Sequence, residues 1–147
     1  MTMLHPRAAL FVAVSLCLAA TASPSHADAG FVVVCHATNP ITTLSSVDLK
    51  KALTGGTKQW ANGAVVQLGV SSTETPELGF LAGAAGLTAP ELLTRVQQQV
   101  FKGEMRRPVI LRSSAECLGL VRINPGAICA APAGVGLPPE AKIVVIR

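Results

Sequence analysis

Tyrosine is absent, tryptophan occurs once, and aromatic residues make up 3% of the chain. A surface that stacks bases needs several rings, so nucleic acid is not an expected partner. Charge is sparse as well. The 8 Asp+Glu are scattered, and no pair stands out as a glycosidase-like acid and base. Of the three histidines, His5 and His26 lie near the start and His36 alone lies in the body of the chain. His36 follows Cys35 directly, and neighbours on a strand point to opposite faces. That spacing excludes a Cys–His nucleophile and base while both sit in a regular strand. No Cys/His spacing fits zinc, so neither a metal nor another cofactor is expected. Internal repeats and low-complexity tracts are missing too. No apolar run reaches the roughly 20 residues that span a bilayer as a helix.

What is present begins with an address. Arg7 closes a short basic leader, Ala8 to Ala22 is apolar, and Ser25-His26-Ala27 places small residues where a signal peptidase cuts. The expected division is a signal peptide over 1–27 and one mature domain over 28–147. Cys17 follows Leu16, which does not fit a lipoprotein site. The mature product is expected in the periplasm or outside the cell, with no membrane insertion after cleavage. With one of 12 Lys+Arg and none of the 8 Asp+Glu in the leader, its net charge is +3, too small to imply a polyanionic partner.

Cleavage leaves Cys35, Cys117 and Cys129, and export favours a disulfide. Cys117 and Cys129 flank the turn Asn124-Pro125-Gly126. Seven helical residues before it and three strand residues after it each span about 10 Å, so the two sulfurs reach the same level. Cys35–Cys129 is the competing pair if those two strands are neighbours.

The mature chain alternates strands with helices. Phe31–Cys35 is a continuous apolar run that fits a strand covered on both faces. Ser45 and Asp48 cap a helix predicted over Ser46–Thr54, with Leu44 and Leu49 as its staple and Gly55-Gly56 as its stop. Trp60, before the turn Asn62-Gly63, reads as a buried anchor. Val65–Val70 is the second strand. The polar loop Ser71–Thr75 leads to Pro76 at the first position of a helix capped by Thr75. Gly79, Gly83 and Gly86 weaken that helix. Thr88 with Glu91 and Ser113 with Glu116 open two more helices. Val109–Leu111, Ala127–Ala130 and Ile143–Ile146 complete the strands, the last after a Pro/Gly-rich connection. The pattern predicts an α/β three-layer sandwich with a small mixed sheet flanked by helices.

Several stretches carry a resemblance. They are Phe31–Cys35 running into Asn39-Pro40-Ile41, Leu44-Ser45, Leu49 through Gly55-Gly56, Trp60 and Gly63 ahead of Val65-Val66, and Pro125-Gly126-Ala127-Ile128. In this order the chain resembles the periplasmic solute-binding proteins of phosphate ABC transporters, and more closely their short single-lobed relatives. The resemblance implies one periplasmic-binding-protein-like lobe. It implies a transport role without catalysis and a small oxyanion such as phosphate as ligand. The family's phosphate loop is Ser-Gly-Thr at a helix N-terminus, usually with an arginine just upstream. The matching loop here is Ser71-Ser72-Thr73-Glu74-Thr75, which has neither the glycine nor the arginine and carries Glu74.

The candidate ligand-binding residues are therefore Ser71, Ser72, Thr73 and Thr75, with Ser45 and Asn39 from the other matched stretches. Arg106, Arg107 and Arg112 are the densest basic group and can supply the missing cation. Each serine and threonine also reads as a plain helix cap, and each arginine as a solvated surface residue. A second function class is a non-catalytic adaptor of the cell envelope. It would reuse a half binding-protein fold to hold a protein partner or a second copy of itself. An apolar content of 50% and the short chain fit that reading.

Overall fold

The computed structural model describes residues 30–147. The expected signal peptide and its cleavage site lie outside them. Six strands and four helices follow in the order β1 (Phe31–His36), β2 (Thr43–Leu44), α1 (Ser46–Leu53), β3 (Gln67–Val70), α2 (Pro76–Ala84), α3 (Ala89–Phe101), β4 (Val109–Ile110), α4 (Ser114–Ile123), β5 (Ala127–Pro132) and β6 (Ala141–Ile146). The strands form one mixed sheet in the order β2-β6-β1-β5-β3-β4. β2 runs parallel to β6, and β3 runs parallel to both β5 and β4. β1 is antiparallel to both of its neighbours. Five strands therefore share a direction and β1 alone opposes them.

The two faces of β1 show why the sheet is the middle layer. Val33 and Cys35 face one core with Leu49 and Leu53 of α1, Leu78 and Leu81 of α2, and Leu92 and Val96 of α3. Val34 faces the other core, with Cys117 and Val121 of α4 and with Ala127, Cys129 and Ala131 of β5. A strand buried on both sides needs apolar residues at every position, which is what the run Phe31–Cys35 supplies. The expected three-layer α/β sandwich is the observed architecture.

All four helices start where a hydroxyl marks them. Ser45, Thr75, Thr88 and Ser113 are the N-caps, and each oxygen accepts the backbone N–H three residues on. Such a cap stabilises by about 1 kcal/mol. Glu116 closes its box one residue early, accepting the Arg112 N–H at 2.6 Å. Gly86 lies past the end of α2 with φ +74°, so it terminates the helix rather than weakening its interior.

The disulfide joins Cys117 to Cys129, with Cα atoms 6.0 Å apart, across α4 and the strand that follows it. Among the described residues Cys35 is the free cysteine, and it is buried. The rival pairing fails for a geometric reason. Cys35 sits opposite Ile128 on β5, and Cys129 points to the other side of the sheet.

Several boundaries differ from expectation: β1, α1 and β4 end one residue away from the expected position, and β5 runs two residues further, to Pro132. β2 was not anticipated, because two residues give no periodicity to read. β3 starts at Gln67 instead of Val65, since Val65 is drawn into a bridge with Gln59. β6 begins two residues early, at Ala141. Trp60 closes this corner as an anchor. It is buried, and its indole N–H donates to the Gly126 carbonyl at 2.9 Å. No helix among the described residues is long and apolar enough to cross a membrane.

Candidate functional site

Strand direction determines which loops meet. The carboxyl ends of β2, β3 and β4 lead into α1, α2 and α4, and all three strands run the same way. Their helix N-termini therefore gather at one end of the sheet, the end at which ligands bind in open α/β folds. The tips of α2 and α4 share a hollow of about 70 Å³. Ser71, Thr75, Glu77, Arg112, Ser113 and Ser114 supply its polar wall. Drug-sized ligands occupy clefts of roughly 300–1,000 Å³, so this one suits an ion of a few heavy atoms.

The donors of the hollow can be counted. Thr75 Oγ1 accepts the Leu78 N–H at 3.2 Å and donates its own proton to Ser71 Oγ at 3.0 Å. The Ser71 proton is then free to point into the hollow. Pro76 has no N–H, and the Gly79 N–H is taken by the Thr75 carbonyl. The Glu77 N–H is the orphan donor of α2. In α4, Ser113 takes the Glu116 N–H on its hydroxyl and the Cys117 N–H on its carbonyl. The N–H groups of Ser114 and Ala115 remain. Two positive dipole ends thus face one small space, and Arg112 is among the residues that line it. Glu77, which also lines it, brings a negative charge that opposes a bound anion.

The remaining candidates fall elsewhere. Ser72 and Thr73 are exposed beside Glu74 at the crest of the loop and do not line the hollow. Ser45 stands at the same end of the sheet but is engaged as the cap of α1, accepting the Asp48 N–H at 3.0 Å. Asn39 follows β1, and because β1 runs backwards it lies at the opposite end. It is buried, and its Oδ1 closes a turn by accepting the Ile41 N–H at 3.1 Å. The three arginines separate. Arg112 lines the hollow, Arg106 lines a 340 Å³ cleft near the end of α1, and Arg107 lines a groove beside α3. Sequence reasoning missed Glu77 and Ser114. The signal for both was position, since first-turn helical side chains lean back toward the cap.

Cys35 and His36 lie on opposite faces of β1. Burial pushes the Cys35 thiol up to about 11, with Lys142 pulling weakly the other way. A thiol so raised stays protonated and is a poor nucleophile near neutrality. His36 Nδ1 instead pairs with Thr38 Oγ1 at 2.8 Å.

No family model matches the sequence, and neither does any curated protein. Solved structures do match. One from Clostridium perfringens, described as a phosphate ABC transporter substrate-binding protein with bound phosphate, superposes with a TM-score of 0.61 at 18% identity. An ABC-type phosphate transport receptor from Vibrio cholerae gives 0.53 at 15%, and PstS from Borrelia burgdorferi gives 0.55 at 14%. The chain has the fold of phosphate-type substrate-binding proteins. Each alignment covers 80% of this chain but only 44%, 46% and 47% of the respective relative. The chain therefore spans less than half the length of the structures it matches. At such identities the likeness is one of fold.

Proposed function

We propose that the protein is an exported, non-catalytic binding lobe for phosphate or a similar oxyanion, serving an ABC transport system. The observation that carries this reading is the convergence of two helix N-termini, the Ser71 and Thr75 hydroxyls and Arg112 on one ion-sized hollow. Free N–H groups at helix tips bind anions without any reactive side chain. The Cys117–Cys129 bond fits an oxidising compartment, as export over 1–27 would require.

The test is a titration of the mature chain, followed by amide chemical shifts, with phosphate, sulfate and chloride at constant ionic strength. Saturable shifts at Ser71, Thr75, Glu77, Ser114 and Ala115 with the oxyanions are expected. Arg112→Ala should weaken them by about tenfold, the worth of one charge-assisted contact of roughly 1.5 kcal/mol. Absence of saturable shifts at tens of millimolar phosphate and sulfate would exclude the reading. Export is tested separately, by sequencing the N-terminus of the processed protein, which should begin at Asp28.

A further inference from the structure

At the far edge of the sheet lies a second surface that the oxyanion site does not use. Phe101 closes α3 with 93% of its surface exposed, and Val109 and Ile110 of the edge strand β4 are 38% and 50% exposed. Between them runs a groove of about 560 Å³ lined by Val96, Val100, Phe101, Pro108 and Ile110, with Arg107 at its rim. Contiguous exposed apolar residues rimmed by polar ones mark an interaction surface.

Among the described residues, Arg107 is the one charged residue that lines the groove, and Lys102 follows Phe101 as the C-cap of α3. No carboxylate lines it, and nearby Glu104 is already paired with Lys58 at 3.1 Å. Neither Lys102 nor Arg107 has an ion pair among the described residues. The backbone beneath the rim is fixed. The buried Gln67 donates from Nε2 to the Arg107 carbonyl at 3.1 Å. A pinned rim lowers the ordering cost of binding. β4 also ends the sheet, so one side of its backbone is open to a further strand.

We propose that this corner docks an acidic, extended segment of a partner protein. The segment lies along β4, seats an apolar side chain in the groove beside Phe101 and sets its carboxylates against Lys102 and Arg107. A second copy of this chain would bring the same positive rim to the contact, so charge disfavours it.

The probes are two synthetic ten-residue peptides titrated into the mature chain and followed by amide shifts. One alternates Glu with Leu around a central Phe, and the other replaces each Glu with Lys. The acidic peptide should shift residues 96–110 saturably and leave Ser71 and Thr75 unmoved. The basic peptide should bind at least about tenfold more weakly. Phe101→Ser, at a site too exposed to disturb the core, and Arg107→Ser should each weaken the acidic peptide by about tenfold. Lack of response to the acidic peptide, or an equal response to both peptides, overturns the proposal. So does sedimentation as a dimer that Phe101→Ser dissociates, because a second copy would then be the occupant.

Discussion

Glu77 works against the charge of its surroundings, which makes it informative. Glu77 lines the hollow at the first turn of α2, where two helix dipoles and Arg112 favour negative charge. Replacing it with Gln keeps the size and removes the repulsion. At a few ångströms and a near-surface dielectric, about 1 kcal/mol returns to the anion, or roughly fivefold in affinity. Glu77→Gln should therefore tighten phosphate in calorimetry, while lowering the unfolding free energy by about 0.5 kcal/mol as the α2 dipole loses its acidic first-turn partner. Gly126 is decided by space alone. A Cβ there would stand 1.7 Å from the Val65 carbonyl oxygen, a backbone atom that cannot rotate away. The same residue accepts from Trp60 Nε1 and from the Gln67 N–H. Gly126→Ala should cost about 3 kcal/mol or more in urea unfolding, at or above the top of the overpacking range. Cys35 titrates, and the sign follows from its burial. The folded thiol is raised from 9.0 to about 11, so the fold favours the neutral form. That contribution is complete below pH 9 and is lost as pH rises toward 11, amounting to roughly 2 kcal/mol. Cys35→Ala should flatten this part of the stability–pH curve, read as the difference between wild type and variant at pH 8 and pH 11. Trp60 as an anchor was legible from one ring beside a turn. The crowding at Gly126 was not, because it depends on a segment 61 residues away in sequence.

Helices were readable because a cap is a local device. Ser45, Thr75, Thr88 and Ser113 each announce a helix through a bond spanning three residues, and a sequence preserves such spacings. Strands were readable only when long. The two residues of β2 gain their identity from β6, about a hundred residues further on. The disulfide sits between these cases. Its pairing follows from one helix packed on its own next strand, so lengths along the chain sufficed. Cys117 and Cys129 are 12 residues apart, and closing a loop of that size stabilises by about 3 kcal/mol on the chain-entropy argument. Reduction should lower the unfolding free energy by about that amount. The double variant Cys117→Ala, Cys129→Ala should show the same loss and become insensitive to reductant. If reduction leaves the urea midpoint unmoved, the bond does not constrain the unfolded chain.

At the scale of the whole molecule, the site is a product of strand direction. Ser71 and Ser113 are 42 positions apart in sequence, and they meet because β3 and β4 run parallel and each feeds its helix from the same end of the sheet, although the two helices pack on opposite faces. One reversed strand has the opposite effect, carrying Asn39 to the far end despite its place in the matched pattern. Topology also separated the arginines. Three of them crowd into seven positions, yet they line three different concavities. Only a sheet order could have revealed either result. Among the described residues, the strand ends and the tips of α2 and α4 line the hollow, so an anion in it keeps part of its hydration shell and gains fewer contacts than in a closed cleft. Affinity near 1 mM is the expected outcome, and linkage converts it into a thermal shift. At 10 mM phosphate, ten times such a Kd, the native state gains about 1.4 kcal/mol. For a domain of this size that is about 5 °C in Tm. Sodium chloride at matched ionic strength should give less than a third of the shift. An equal response to both salts would assign the effect to general screening of a basic chain and leave the two helix tips without a ligand. A shift that vanishes in Arg112→Ala but survives in Arg106→Ala and Arg107→Ala would place it at the hollow between α2 and α4, since of the three arginines only Arg112 lines it.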